Sequence, residues 1–339
     1  MSNFSYSPLL LPFSWLYGLG TEIRNFLFDL GLRASHSYNI PIICVGNITV
    51  GGTGKTPHTE YLIRLLLGTH RVAVLSRGYK RKTRGFQLAN PQSNADELGD
   101  EPYQIHQKFP NIRVAVDSDR CHGAELLSEI FANENSDKRQ PIILLDDAYQ
   151  HRRLTAGLTI LLVDYNRPIY KDHLLPAGRL RECCKRADRA DIIIVTKCPR
   201  NISPTEQNAI EQHLKPAHWQ KVFYSTYSYS KLPENSKILL VTGIANPKPL
   251  EDALKELGND VLSLNWADHH DYTSKDIDTI TQKAKGRIVL TTEKDAAKLQ
   301  AFSIGMPPYQ TISVEVEILG EKKNDFNKLI TDYANKGTW

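Results

Sequence analysis

The stretch Val45-Gly46-Asn47-Ile48-Thr49-Val50-Gly51-Gly52-Thr53-Gly54-Lys55-Thr56-Pro57 reads as a phosphate-binding loop with its two flanks. The apolar run Pro41-Ile42-Ile43-Cys44-Val45 predicts a buried strand entering the loop. Pro57 in a first turn, apolar Leu62, Leu65 and Leu66, and a terminating Gly68 predict a helix leaving it. Strand, glycine-rich loop and helix, in that order, are the context such a motif requires. Gly51, Gly52 and Gly54 let successive backbone N–H groups, with that of Thr53, turn inward as an anion nest, and the helix N-terminus adds roughly half a positive charge. In such a loop Lys55 reaches the β- and γ-phosphates and the Thr56 hydroxyl ligates Mg²⁺. The usual pattern has glycine where Thr49 stands. Either Thr49 tolerates the geometry or Gly51 and Gly52 make the tight turn.

The chain has 339 residues, enough for two domains with a core each. Its 41% hydrophobic and 24% charged residues are those of a soluble globular protein. A net charge of +4 argues against a nucleic-acid partner, while leaving local basic clusters for phosphates or an anionic membrane. Five cysteines, with no C-x-x-C pair and no secretory signal, read as reduced cytosolic thiols rather than a disulfide framework or a zinc site.

Near the N-terminus, Trp15, Leu16, Leu19, Ile23, Phe26, Leu27 and Leu30 form an apolar stripe at helical period. Glu22, Arg24, Asn25 and Asp29 interrupt it, which excludes a spanning helix. Two readings stand: a helix packed on its own domain, or an interfacial helix lying on a membrane.

Further along, short apolar runs alternate with helical patterns, the signature of a parallel sheet covered on both faces. Strands are expected at Arg71–Ser76, Ile112–Val116, Pro141–Asp147, Thr159–Asp164 and Asp191–Thr196, and a helix from Asn201 to about Pro216. A second βαβ pattern begins at Ile238. The expected architecture is α/β: a P-loop NTPase domain with a mainly parallel sheet, plus a second, smaller α/β domain. The division places the P-loop domain with its N-terminal helix at 1–222, a linker at 223–235, the smaller domain at 236–320 and a C-terminal helix at 321–339.

Several constellations carry chemistry. Asp146-Asp147 closes an apolar strand beside the P-loop, the Walker B position where Mg²⁺ is held. Ala148-Tyr149-Gln150-His151-Arg152 follows and lines the same crevice, with Gln150 a candidate substrate contact. In Gly99-Asp100-Glu101-Pro102 the two acids cap a helix, or Asp100 acts as base toward an attacking hydroxyl with Glu101 near the metal. The run from Lys80 to Arg84 is a solvated loop or an anion-facing one. Asp268-His269-His270-Asp271-Tyr272 is a metal site, a base with its orienter, or a solvated loop. Arg179 and Arg181 in Pro176–Glu182, and Arg120 at a strand-to-helix junction, suit charge on a transferring phosphoryl group. Thr196-Lys197 after a strand partly matches a guanine-specificity motif, with Pro199 where an Asp is required. That keeps a GTPase-type switch or a metal-chaperone NTPase as the alternative, alongside a non-catalytic membrane-binding protein.

Taken together, the motifs resemble those of the tetraacyldisaccharide 4′-kinase family, the lipid A 4′-kinases. The matching pieces are GNITVGGTGKTP at 46–57, SRGYK at 76–80, GDEP at 99–102, DDAYQHR at 146–152, LLPAGRLRE at 174–182, VTKCP at 195–199 and DHHDY at 268–272. Ala148, Tyr149 and Arg179 depart from residues common in that family, whereas Thr49 is in keeping with it. The resemblance implies an ATP- and Mg²⁺-dependent kinase, peripheral on the cytoplasmic face of the inner membrane. Its acceptor would be the 4′-hydroxyl of an acylated disaccharide lipid, with no nucleic acid and no obligate protein partner. The implied fold is two α/β domains with the site in a cleft between them. By motif, Asp100 is the base with His269 (or His270) its partner, and Lys55, Thr53 and Thr56 serve the phosphates and metal. Glu101, Asp146 and Asp147 serve Mg²⁺. Arg120, Arg181 and Glu182 surround the nucleotide or the transferring phosphate, and Tyr79 and Lys80 face the lipid headgroup.

Overall fold

The structure is a computed structural model and describes residues 8–134, 137–244, 246–267, 270–302 and 305–337. The chain forms two compact units. One ends at Thr226 and resumes at Val316; the other is Tyr227–Glu315.

The first unit runs α1 (Leu11–Asp29), β1 (Ile42–Gly46), α2 (Lys55–Leu66), β2 (His70–Ser76), β3 (Gln87–Leu88), α3 (Ala95–Leu98), α4 (Asp100–Lys108), β4 (Arg113–Val116), α5 (Arg120–Ala132), β5 (Gln140–Asp146), β6 (Leu158–Asp164), β7 (Ile192–Thr196), α6 (Pro204–Leu214) and β8 (Lys221–Tyr229). The second contributes β9 (Lys237–Thr242), α7 (Lys248–Glu256), β10 (Asp260–Asn265), α8 (Ser274–Lys283), β11 (Ile288–Thr292), α9 (Glu293–Leu299) and β12 (Tyr309–Ile312). The chain returns through β13 (Val314–Ile318) to α10 (Lys322–Lys336).

The large sheet has the order β13-β8-β7-β6-β1-β5-β2-β4-β3. From β8 to β4 every neighbouring pair is parallel. The inner strands are apolar throughout because helices cover both faces. Ile42 and Cys44 of β1 pack with Ala124, Leu127 and Phe131 of α5. Val45 lies level with Asp146 and Gly46 with Leu161. The carboxyl ends of β5, β1 and β6 therefore share one edge, with β1 central, which is where parallel α/β sheets bind ligands. From the chain's end, the Tyr333 hydroxyl of α10 donates to Ile42 O at 2.9 Å and accepts from Ile42 N–H at 3.0 Å, pinning the entry of β1.

The smaller unit is a four-stranded parallel sheet, β10-β9-β11-β12. Leu239, Val241 and Ile280 build one side of its core, and Ile238, Leu240 and Leu254 the other.

Two boundaries differ from the sequence reading. The linker is expected at 223–235, but its first residues, 223–229, belong to β8. It is a full strand of the large sheet, with Phe223 and Tyr224 buried and the Tyr224 hydroxyl donating to Gln207 O at 3.0 Å. The smaller domain, expected to reach residue 320, ends at Glu315, because β13 pairs beside β8. The first difference arises from parallel pairing with β7 and the second from a strand some ninety positions further on, neither of which a local pattern encodes.

Helix α1 is inverted. Its buried residues are Ser14, Gly18, Asn25 and Phe28, so its inner face is mainly small and polar. Trp15, Leu16, Leu19, Ile23 and Phe26 are each more than half exposed. The inner face fits because of close approach: a Cβ on Gly18 would lie 2.7 Å from Leu174. The Ser14 hydroxyl donates to Leu174 O and accepts from Ala177 N–H, both at 2.9 Å.

Candidate active site

The loop between β1 and α2 is shaped by two glycines with positive φ, Gly51 at 108° and Gly54 at 92°, the latter at the N-cap of α2. Thr49 makes no turn. It is buried and bridges antiparallel to Leu180, so Gly51 supplies the tight geometry instead. Val50 N–H bonds Arg179 O, and Arg181 N–H bonds Ile48 O, each at 2.8 Å. The segment carrying Arg179 and Arg181 is thus laced along the approach to the loop. Inside, Asn47 Nδ2 donates to Thr53 Oγ1 at 2.7 Å, which orients the Thr53 side chain. Lys55 and Thr56 stand in the first turn of α2.

The two carboxylates after β5 play different parts. Asp147 adopts φ 51° and faces two cations, Lys55 Nζ at 3.6 Å and Arg181 Nη1 at 3.3 Å. Asp146 is 1% exposed and accepts from Thr59 Oγ1 at 3.2 Å. Its Oδ2 has no hydrogen-bond partner among the described residues. Burial first, then the Glu101 and Asp147 charges, push its carboxyl up to about 7 against the pull of Lys55. A buried carboxylate oxygen without a donor, beside two further carboxylates, is the donor set of a hard divalent cation. The Glu101 and Asp147 charges act on Asp146, and Thr56 stands in the first turn of α2.

Asp100 and Glu101 form the first turn of α4, after Gly99 at φ 91°. The 78–79 turn approaches this point too closely for side chains. A Cβ on Gly99 would meet Tyr79 O at 2.9 Å, and one on Gly78 would meet Leu98 O at 2.9 Å. The Tyr79 backbone is therefore carried against Gly99, the residue before Asp100, and Tyr79 is 65% exposed. Arg120, at the start of α5, is 6% exposed, and its Nε has no partner among the described residues. Burial and the nearby Arg77 lower its proton affinity while Asp147 raises it. A buried guanidinium with a free N–H, near the Asp147 charge, fits an anionic ligand.

Other expected site residues are placed differently. The Glu182 carboxylate, 1% exposed, pairs with Arg189, with Arg24 Nη1 at 3.7 Å and with Asn25 Nδ2 at 3.4 Å. It is an anchor for α1. The Gln150 amide is taken up within the site, Nε2 donating to Asn47 O at 2.7 Å and Oε1 accepting from Arg181 at 3.4 Å. His269 lies outside the described residues. His270 Nε2 is 3.0 Å from Asp276 Oδ2 in the capping turn of α8, and its ring stacks on Trp266. Sequence reasoning missed Asn47, Thr59 and Asp164. It noticed Thr196-Lys197 without finding their contact, which is with the loop itself: Thr196 Oγ1 donates to Thr53 O at 2.9 Å and Lys197 Nζ to Gly52 O.

Known proteins bear on this site. The family model described as tetraacyldisaccharide-1-P 4′-kinase matches residues 6–335. The chain is 44% identical to the tetraacyldisaccharide 4′-kinase of Bacteroides thetaiotaomicron over 97% of its own length and 93% of the relative's. It is 47% identical to that of Flavobacterium johnsoniae, covering 86% and 87% of the two chains. A crystal structure of LpxK from Aquifex aeolicus in complex with ATP superposes with a TM-score of 0.73 at 31% identity, over 95% of this chain and 98% of that one. With that coverage, and with a nucleotide loop faced by paired carboxylates, the chain belongs to the tetraacyldisaccharide-1-P 4′-kinase family.

Proposed function

We propose that this chain transfers the γ-phosphoryl group of ATP, bound with Mg²⁺, to the 4′-hydroxyl of a tetraacyldisaccharide 1-phosphate. The observation carrying this reading is the buried Asp146 oxygen without a donor, set beside Lys55 and Asp147 at the mouth of a nucleotide loop. The loop N–H groups and Lys55 bind the β- and γ-phosphates. Asp146, Asp147, Glu101 and Thr56 would hold the cation, which would supply neutralisation of charge on the phosphate oxygens. Arg181 and Arg120 take up the charge that develops on the transferring group. The acceptor oxygen bonds to the γ-phosphorus as the bond to the β–γ bridging oxygen breaks, and the hydroxyl proton passes to the Asp100 carboxylate. ADP leaves.

The acceptor's acyl chains keep it in a bilayer, so the enzyme must dock there. The exposed apolar face of α1 supports peripheral attachment at the cytoplasmic face of the inner membrane. Among the described residues, no helix is long and apolar enough to cross a membrane.

The test is incubation with γ-labelled ATP, Mg²⁺ and a tetraacyldisaccharide 1-phosphate in detergent. Label in the lipid is expected. Asp100→Ala is expected to lose transfer while retaining ATP binding. Absence of label, or selective use of GTP, would overturn the reading, and near wild-type transfer by D100A would remove Asp100 as base.

A further inference from the structure

We propose that Lys197, held by the buried carboxylate of Asp164, is a positioning residue that keeps the nucleotide loop in its phosphate-binding conformation. The reason begins with the loop's backbone. For N–H groups to point inward at phosphate, the carbonyls of the same peptides must point outward, toward the protein, where each needs a donor. Two adjacent carbonyls are met from β7 and the residue that follows it. Thr196 Oγ1 donates to Thr53 O at 2.9 Å, and the Lys197 ammonium donates to Gly52 O.

Lys197 is arranged for this contact. It follows the last residue of β7 and adopts φ 59°, a left-handed conformation uncommon outside glycine. Its side chain is 11% exposed, and its ammonium is 2.7 Å from Asp164 Oδ2. Asp164 ends β6 directly beside Thr196 in the parallel register and is 2% exposed. The same carboxylate accepts from Asn166 N–H at 2.9 Å and from Arg167 Nη2 at 3.3 Å. The Arg167 guanidinium in turn lies 3.4 Å from where a Cβ on Gly51 would be. One buried anion thus holds cations at two successive glycines of the loop. The carboxylate saturates the Lys197 charge, so the ammonium acts on the loop backbone and leaves phosphate to Lys55.

The inference concerns nucleotide binding only, so it can be tested without the lipid acceptor. The probe is an ATP analogue with an imido β–γ bridge, titrated with Mg²⁺ onto the full chain. Lys197→Met is expected to weaken analogue binding and raise the ATP KM by about tenfold, the loss of one charge-assisted hydrogen bond. The KM for the lipid is expected to stay close to wild type, while the melting temperature falls because the buried Asp164 loses its nearest cation. Lys197→Arg, which keeps a cationic donor, is expected to recover most of the affinity. Thr196→Val removes the neighbouring bond alone and is expected to shift ATP affinity in the same direction, which decides the matter should K197M not fold. Analogue affinity within twofold of wild type in the folded variants, or equal losses for ATP and lipid, would overturn the proposal. Failure of lipid phosphorylation with normal analogue binding would instead sink only the choice of acceptor.

Discussion

The Lys55 ammonium stands 3.6 Å from the Asp147 carboxylate, and the same carboxylate is 3.3 Å from Arg181. One acid thereby joins the nucleotide loop to the arginine segment that lies along it. Lys55→Met leaves Asp147 its Arg181 partner, so the fold is expected to survive. Phosphoryl transfer, which relies on cations at the developing charge, is expected to fall by about 100-fold or more. A labelled-ATP assay beside a thermal melt checks both. A loss of less than about threefold would take Lys55 out of the reaction.

Glu182 separates a structural from a nucleotide role. Its carboxylate is buried against Arg189, Arg24 and Asn25. Glu182→Gln removes the buried anion from two partly exposed guanidinium groups, 18% and 36% exposed, at a cost of about 1–3 kcal/mol. A clear fall in melting temperature is expected, with ATP affinity near wild type in the cold. Lost ATP affinity at unchanged melting temperature would return Glu182 to the nucleotide.

The Asp146 carboxyl gives stability a pH signature in metal-free protein. Folding raises it from 3.8 to about 7, chiefly by burial. The native state therefore holds a proton that the unfolded chain releases. This contribution is complete below the unfolded value of 3.8 and is lost as pH rises through about 7. In EDTA, the unfolding free energy of Asp146→Asn minus that of wild type is expected to grow from about pH 4 to about pH 8. Added Mg²⁺ should stabilise wild type more at the upper end. Denaturant titrations across the range provide the measurement, and a flat difference would contradict the assignment.

On α1, Trp15 is 73% and Phe26 57% exposed. Changing both to Glu is expected to leave the melting temperature unchanged. Each deeply inserted aromatic side chain contributes about 1.5–3 kcal/mol, so vesicle cosedimentation is expected to drop at least about tenfold. Unaltered vesicle binding would move the docking surface elsewhere.

Much of this molecule was legible in its sequence because the decisive signals are local. Strand, loop and helix around Gly51–Thr56 follow from an apolar run, glycines at turn positions and helical spacing within a score of residues. The carboxylates Asp146 and Asp147 follow from their place at the end of such a run. Tertiary structure alone decided what depends on distant partners. The stripe Trp15–Phe26 specified a helix but not which face turns inward; Ser14, Gly18 and Asn25 take that role because Leu174, Ala177 and Glu182 meet them. Lys221–Tyr229 became a sheet strand because β7 pairs with it on one side and β13 returns on the other. Glu182 became an anchor because arginines bury with it, and Thr196-Lys197 became a brace because the loop's outward carbonyls lie against them. Hydrogen bonds and ion pairs between segments far apart in the chain have no periodicity to read, so only the folded structure assigns them.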